Sequence, residues 1–164
     1  MIITLKKGKH KPSTLSCTRT DGSVSWTKLQ RGVETHDLAH FVIETSLGFT
    51  DAFYGIIARG FDISDFELPR EQRPRALIPA NLPEQAIQTE YIVNLLQVEF
   101  FNSGENPDFI NTLKNTLAEK NIHFPENLDQ HALENIRIRF GELLMQWESL
   151  AEGETMELEF NIKK

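Results

Sequence analysis

The stretch ETHDLAHFVIE, residues 34–44, sets His36 and His40 four apart, with Asp37 directly after the first and Glu44 four past the second. Imidazoles at that spacing project from one helix face and can grip a divalent metal ion from adjacent turns, zinc being the first choice. His36 would sit in the first turn, where the positive end of the helix dipole opposes protonation and keeps the ring in the neutral form that a metal requires. Asp37, as an anion, is favoured at the same end, and from there it would orient a ligand or a water. Glu44 would support the metal-bearing histidines from behind.

At about 100° per residue, with His36 at zero, His40 falls near 40°, Glu44 near 80° and Asp37 near 100°. Leu38, Ala39, Phe41, Val42, Ile43 and Leu47 fill most of the remaining circumference. The segment is therefore apolar nearly all round, with one narrow stripe of His, His, Glu and Asp. An ordinary solvated face would carry lysine or arginine, and none occurs between Arg31 and Arg59. Glu44 is a poor third ligand on a straight helix, because an ion midway between the histidines would lie about 9 Å from it along the axis. A third ligand has to come from elsewhere, with His123, His131 and Glu90 as candidates. The alternative is a structural stripe, whose imidazoles hydrogen-bond to Asp37, Glu44 or a neighbouring loop in a non-catalytic binding or assembly domain.

His36-Asp37-Leu38-Ala39-His40 looks like the zinc-protease helix motif H-E-x-x-H, over five residues. It departs by carrying aspartate where that family has its glutamate base. One methylene fewer leaves the carboxylate short of a metal-bound water by roughly the ~1.5 Å of a carbon–carbon bond, which tells against protease-type hydrolysis. The longer stretch from Thr35 to Ile63 resembles small bacterial proteins of unknown function, with an H-D-L-x-H helix, a glutamate four residues on and a Gly-Phe-containing second helix. The resemblance covers about a sixth of the chain and rests on His36, Asp37, Leu38, His40 and Glu44. It implies that the stripe matters and implies no reaction.

The elements that would position the stripe can be read from periodicity. MIITLKK reads as a strand, and TLSCTRTDGSVSWTKL as a hairpin turning at Asp21-Gly22. Val24 and Trp26 lie on one face of it, with Ser25 and Thr27 on the other. TMELEFNIKK alternates, with Met156, Leu158, Phe160 and Ile162 one way and Glu157 and Glu159 the other, a half-buried strand expected beside the N-terminal strands. Five helices lie between. The first spans about 36–47, capped by Thr35 and stopped by Gly48. The second spans about 51–59, capped by Thr50 or Asp51. A long ordered loop with four prolines, 61–83, follows. Pro83 opens the third helix, with Ile87, Tyr91, Leu95 and Val98 on one face. Asn106-Pro107 opens the fourth, with Phe109, Leu113 and Leu117 inward. The fifth, about 129–150, carries Leu133, Ile136, Phe140, Leu143, Trp147 and Leu150. The expected class is α+β: a small antiparallel sheet, N-terminal strands plus the C-terminal one, packed against about five helices in a single domain.

At 164 residues and 40% hydrophobic, the chain can bury a substantial core. No apolar run is long enough to span a bilayer, and no secretory signal opens the chain. Cys17 is the only cysteine, so internal disulfides are excluded and a reducing cytoplasm is expected. Residues 1–31 hold Lys6, Lys7, Lys9, Lys11, Arg19, Lys28 and Arg31 against Asp21 alone, on a chain of net charge −7. That total disfavours nucleic acid as a partner, and pairing with Glu157 and Glu159 across strands is the simpler use of the lysines. A homo-oligomer is compatible with the sequence, and no partner is identified by it. His10, His123 and His131 read as incidental. Gly55 reads as a close packing point, and Arg70, Arg73 and Arg75 as balancing Asp62, Asp65 and Glu67. The chain thus reads as a small intracellular protein that binds a divalent metal through His36 and His40.

Overall fold

The computed structural model describes residues 1–102, 104 and 106–161. Strands β1 (Ile2–Lys6), β2 (Thr14–Thr18), β3 (Val24–Lys28) and β4 (Thr155–Glu159) form one antiparallel sheet in the order β3-β2-β1-β4. The helices are α1 (Val33–Leu47), α2 (Phe53–Ala58), α3 (Ile63–Glu67), α4 (Glu84–Phe101), α5 (Phe109–Glu119) and α6 (Gln130–Ser149). The α+β class expected from the sequence is the class observed. Among the described residues, no helix is long and apolar enough to cross a membrane.

The strand alternation decides which face is covered. In register, Ile3 stands opposite Cys17 and Leu158, and Leu5 opposite Leu15 and Met156; Ile3, Leu5, Leu15, Cys17 and Met156 are buried. The other face keeps Val24 and Trp26 exposed, so the helices lie on one side only. The first and last strands meet as expected: the Met1 amine donates to the Phe160 carbonyl and the Phe160 amide to the Met1 carbonyl, both at 2.9 Å. Ile162 lies outside the described residues.

The hairpin turn is longer than a two-residue loop. The Arg19 amide donates to the Ser23 carbonyl at 2.9 Å, which leaves Thr20-Asp21-Gly22 as the loop. Gly22 takes the left-handed conformation at φ 85° that such a three-residue loop demands. The basic N-terminal segment serves the fold in two places. Lys7 Nζ donates to the carbonyls of Trp147, Glu148 and Leu150 at 2.9–3.0 Å, closing the C-terminus of α6. Arg19 donates to the carbonyls of Ile57 and Phe61 and to Asp62, holding the α2–α3 connection. The expected lysine–glutamate pairing across strands is not what the register provides: Thr4 faces Glu157 and Ile2 faces Glu159.

Helix α1 starts three residues earlier than its sequence suggests. Its N-cap is Gly32, at φ 91°, and the Glu34 carboxylate accepts from the Gly32 amide at 2.8 Å. A cap by glycine and a reaching glutamate gives no Ser/Thr/Asp signal, so Thr35 drew the boundary too late. Helix α2 likewise starts at Phe53 with Ala52 as its N-cap, not at Thr50 or Asp51. The proline-rich segment is not all loop: Asp62 and Asp65 form a capping box that opens α3, and two 3-10 turns follow at Arg75–Leu77 and Pro79–Asn81. These contacts occupy Asp62 and Asp65, so the neighbouring arginines do not balance them. Arg73 turns back onto the Leu68 carbonyl instead.

Helix α1 lies within the core, flanked by α4 and α6. On α4 the buried residues are Ala86, Gln88, Thr89, Ile92, Val93, Leu96 and Glu99, while Val98 is exposed and Ile87, Tyr91 and Leu95 are half-buried. This helix packs on both α1 and α5, so its large apolar residues do not define a single face. On α6 it is Leu144, not Leu143, that is buried.

Candidate metal centre

Helix α1 and helix α4 run antiparallel past each other, which pairs the start of one polar row with the end of the other. Glu90 and Gln97 lie seven residues apart, two turns on one side of α4. They meet His40 and His36 respectively. The His36 Nε2 and His40 Nε2 atoms are 3.1 Å apart, and Glu90 places its carboxylate oxygens 3.4 Å from His40 Nε2 and 4.0 Å from His36 Nε2. One nitrogen from each ring and one oxygen from Glu90 all lie within 4.8 Å of one another. Of the candidate third ligands, Glu90 is therefore the one the fold delivers. His123 is on an exposed loop hydrogen-bonded to Glu84, and His131 contacts Asn135 on the surface.

Tetrahedral zinc with bonds of about 2.0–2.2 Å needs ligand atoms roughly 3.3 Å apart. The two Nε2 atoms at 3.1 Å and Glu90 Oε1 at 3.4 Å from His40 Nε2 lie near that value, while the Glu90 contact to His36 Nε2 is made by the other oxygen, Oε2, at 4.0 Å. The far nitrogens of both rings are also held. His36 Nδ1 lies 3.4 Å from Gln97 Oε1, so Nδ1 donates and the Nε2 lone pair faces the cluster. His40 Nδ1 lies 3.4 Å from Glu44 Oε1, an ionic contact that stops short of hydrogen-bond geometry. Gln97 gave no signal in the sequence; a neutral amide becomes a candidate only once α4 is known to face α1.

Burial is graded along the stripe. The His36 side chain is 34% exposed and Glu90 52%, whereas His40 is 3% and Glu44 0%. An ion therefore has an open approach from one side and protein on the other. Burial alone would lower the pKa of His40, but the Glu44 and Glu90 carboxylates on either side outweigh it and hold the ring's pKa up at about 9. His36 is shifted down, first by burial and then by the neighbouring His40 charge. Burial raises Glu44, against the opposing pull of His40 and the α2 amides, while Glu90 is lowered because the two histidines outweigh its own desolvation. Without a metal, then, a neutral His36 and an imidazolium at His40 share the cluster with Glu90.

Glu44 has a second role. Its carboxylate accepts from the Tyr54 amide at 3.0 Å and from the Gly55 amide at 3.2 Å. Tyr54 and Gly55 are in the first turn of α2, whose own N-cap, Ala52, supplies no side chain. Glu44 thus caps α2 from the neighbouring helix. Gly55 is required for the close approach of the preceding Thr50 backbone, because a Cβ there would collide with the Thr50 carbonyl. The sequence reading of Gly55 as a close packing point holds.

Asp37 does not join the ligand cluster, but it lines the same cavity. That cavity has a volume of about 230 Å³ and is walled by Leu15, Leu29, Val33, Phe53, Ile63 and Phe66, with Thr27 and Glu67 also lining it. Asp37 is 5% exposed, and its Oδ2 has no hydrogen-bond partner among the described residues. Burial pushes its pKa up to about 7, against the pull of His40 and with help from Glu34 and Glu90. No family model, curated protein or solved structure matches the chain.

Proposed function

We propose that the protein binds one divalent metal ion, zinc in the first instance, through His36 Nε2, His40 Nε2 and Glu90. The observation that carries the reading is the convergence of these groups: the two Nε2 atoms stand 3.1 Å apart, the Glu90 oxygens lie 3.4 Å (Oε1) from His40 Nε2 and 4.0 Å (Oε2) from His36 Nε2, and one atom from each residue falls within 4.8 Å of the others. Two supporting contacts resemble those found behind metal-bound histidines elsewhere: Gln97 on His36 Nδ1 and Glu44 on His40 Nδ1. Three protein ligands leave a fourth position toward the cavity, the arrangement of catalytic rather than purely structural zinc. A metal there would supply Lewis acidity and lower the pKa of a bound water, which makes hydrolysis the reaction class the site supports best. Asp37, in the same cavity, would orient the water or ligand.

A second reading is favoured by a different observation. His40 is already bracketed by two carboxylates, and Glu44 is fully engaged with α2, so the stripe can serve as a buried polar network that fixes α1 against α2 and α4. Equilibrium dialysis against zinc separates the two. The metal reading predicts about one equivalent on the wild type and none on the His36→Ala, His40→Ala double variant. Absence of zinc from folded wild-type protein would leave the polar network as the function of the stripe.

A further inference from the structure

The helices cover one face of the sheet, and the face they leave open is laid out unevenly. At the β3 edge it presents Val24, Trp26 and Lys28, with the two apolar residues 54% and 58% exposed. At the β4 edge it presents Glu157 and Glu159, both exposed. The register joins the two edges through short neutral side chains, as in the row Trp26–Ser16–Thr4–Glu157. Lys28, Glu157 and Glu159 make no ion pair among the described residues. Three strand spacings, about 14 Å, separate the edges, so the lysine on one cannot meet the acids on the other within one molecule.

We propose that this open face binds a second copy of the chain, sheet on sheet, in a two-fold dimer. An axis lying between the two sheets can run across the strands or along them. Run across, it sets β4 on β4, with Glu157 against its own symmetry mate and Lys28 against Val24. Run along the strands, it lays the β3 edge of each copy on the β4 edge of the other. Trp26 then covers the stem of Glu157, and Lys28 reaches the same carboxylate from the next row, twice over by symmetry. Like charges facing each other suppress a pairing and opposite charges fix its register, so the charges select the axis along the strands. Lys6, the remaining charge on this face, ends β1 at the rim, where its ammonium stays in water. Four strands about 4.8 Å apart, each five residues at about 3.3 Å, give each copy a footprint of roughly 300 Å². With side-chain relief included, two such footprints fall below about 1,200 Å² in total, the small end of specific interfaces, so the dimer is a reversible one. It leaves the helical side of the molecule, with the His36–His40–Glu90 cluster, uncovered.

Sedimentation velocity on the full chain, from about 1 to about 500 μM at roughly 20 mM and roughly 500 mM salt, tests the proposal. The expected result is a concentration-dependent shift from monomer to dimer, weakened at least about fivefold by the higher salt. Lys28→Glu alone and Glu157→Lys alone should each weaken the dimer at least about tenfold, and the double variant should regain wild-type affinity to within about threefold. Trp26→Ala should also weaken it at least about tenfold, with the salt dependence retained. All three positions are exposed, and circular dichroism checks that the variants fold; the wild-type concentration and salt series decides the matter even if one does not. A monomer at every concentration, growth beyond the dimer, a dimer indifferent to salt and to both charge reversals, or a double variant no better than the single ones overturns the proposal.

Discussion

Among the acidic residues of helix α4 that face basic partners, Glu90 and Glu99 are treated oppositely by the fold. Glu99 is buried and saturated: Arg137 reaches its two oxygens at 3.1 and 2.7 Å, and the Asn106 amide adds a third bond at 2.7 Å. Glu90 is half-exposed and faces two imidazole nitrogens at 3.4 and 4.0 Å, distances too long for strong hydrogen bonds. A pair built to hold helices together closes its hydrogen bonds. The Glu90 cluster instead brings one atom from each of three potential ligands within 4.8 Å of one another and leaves both Glu90 contacts longer than strong hydrogen bonds, which is what the proposed metal reading requires. The stripe on α1 shows the same division within one helix, with Glu44 saturated by α2 and Asp37 left without a donor.

The sharpest break of this comparison is at the saturated pair. Arg137→Ala should destabilise the protein by about 3–5 kcal/mol, because it strands a buried carboxylate, and should lower the melting temperature by on the order of 10 °C. Zinc stoichiometry in the folded fraction should not change. Next comes Glu44→Ala, which strands the Tyr54 and Gly55 amides and should cost about 2–3 kcal/mol in a chemical denaturation curve. Unlike Arg137→Ala, it should also weaken zinc binding, by about ten- to a hundredfold, through the loss of support behind His40. If both variants affect zinc alike, the distinction between anchor and site is wrong.

The metal-free protein should also lose stability on the alkaline side. His40 has a folded pKa raised from 6.5 to about 9, so its contribution is complete below 6.5 and disappears as pH rises through 9. Asp37, raised from 3.8 to about 7, acts with the same sign at lower pH, since ionising it in place is unfavourable. His36 is lowered and opposes them only as pH falls below its ordinary range. Melting temperatures measured with a chelator present should therefore fall between pH 6.5 and pH 9. A flat profile would show that Glu44 and Glu90 do not hold the His40 proton. The smallest effect belongs to His36→Ala. The ring is half-buried, so stability should change by no more than about 1 kcal/mol while zinc is lost.

Much of this was legible in the sequence because its signals were local. Alternation gave the strands and their pairing, and the apolar circumference of 36–47 marked a helix inside the core with one polar edge. What stayed hidden depends on neighbours. Gly32 and Glu34 cap α1 with no side-chain signature at the usual position, and Glu44 caps α2 from another helix. Glu90 was one of three candidates until the antiparallel packing of α1 on α4 selected it, and Gln97 could not be distinguished from any surface amide. The outward position of Val98 follows from α4 having two neighbours, which a single helical wheel cannot express.

The central claim is that His36, His40 and Glu90 converge on one ion, and locating that ion tests it most directly. Anomalous diffraction from zinc-soaked crystals should give one strong peak about 2.0–2.2 Å from His36 Nε2, His40 Nε2 and a Glu90 oxygen. A peak elsewhere, or none at saturating zinc with both rings ordered, would contradict it.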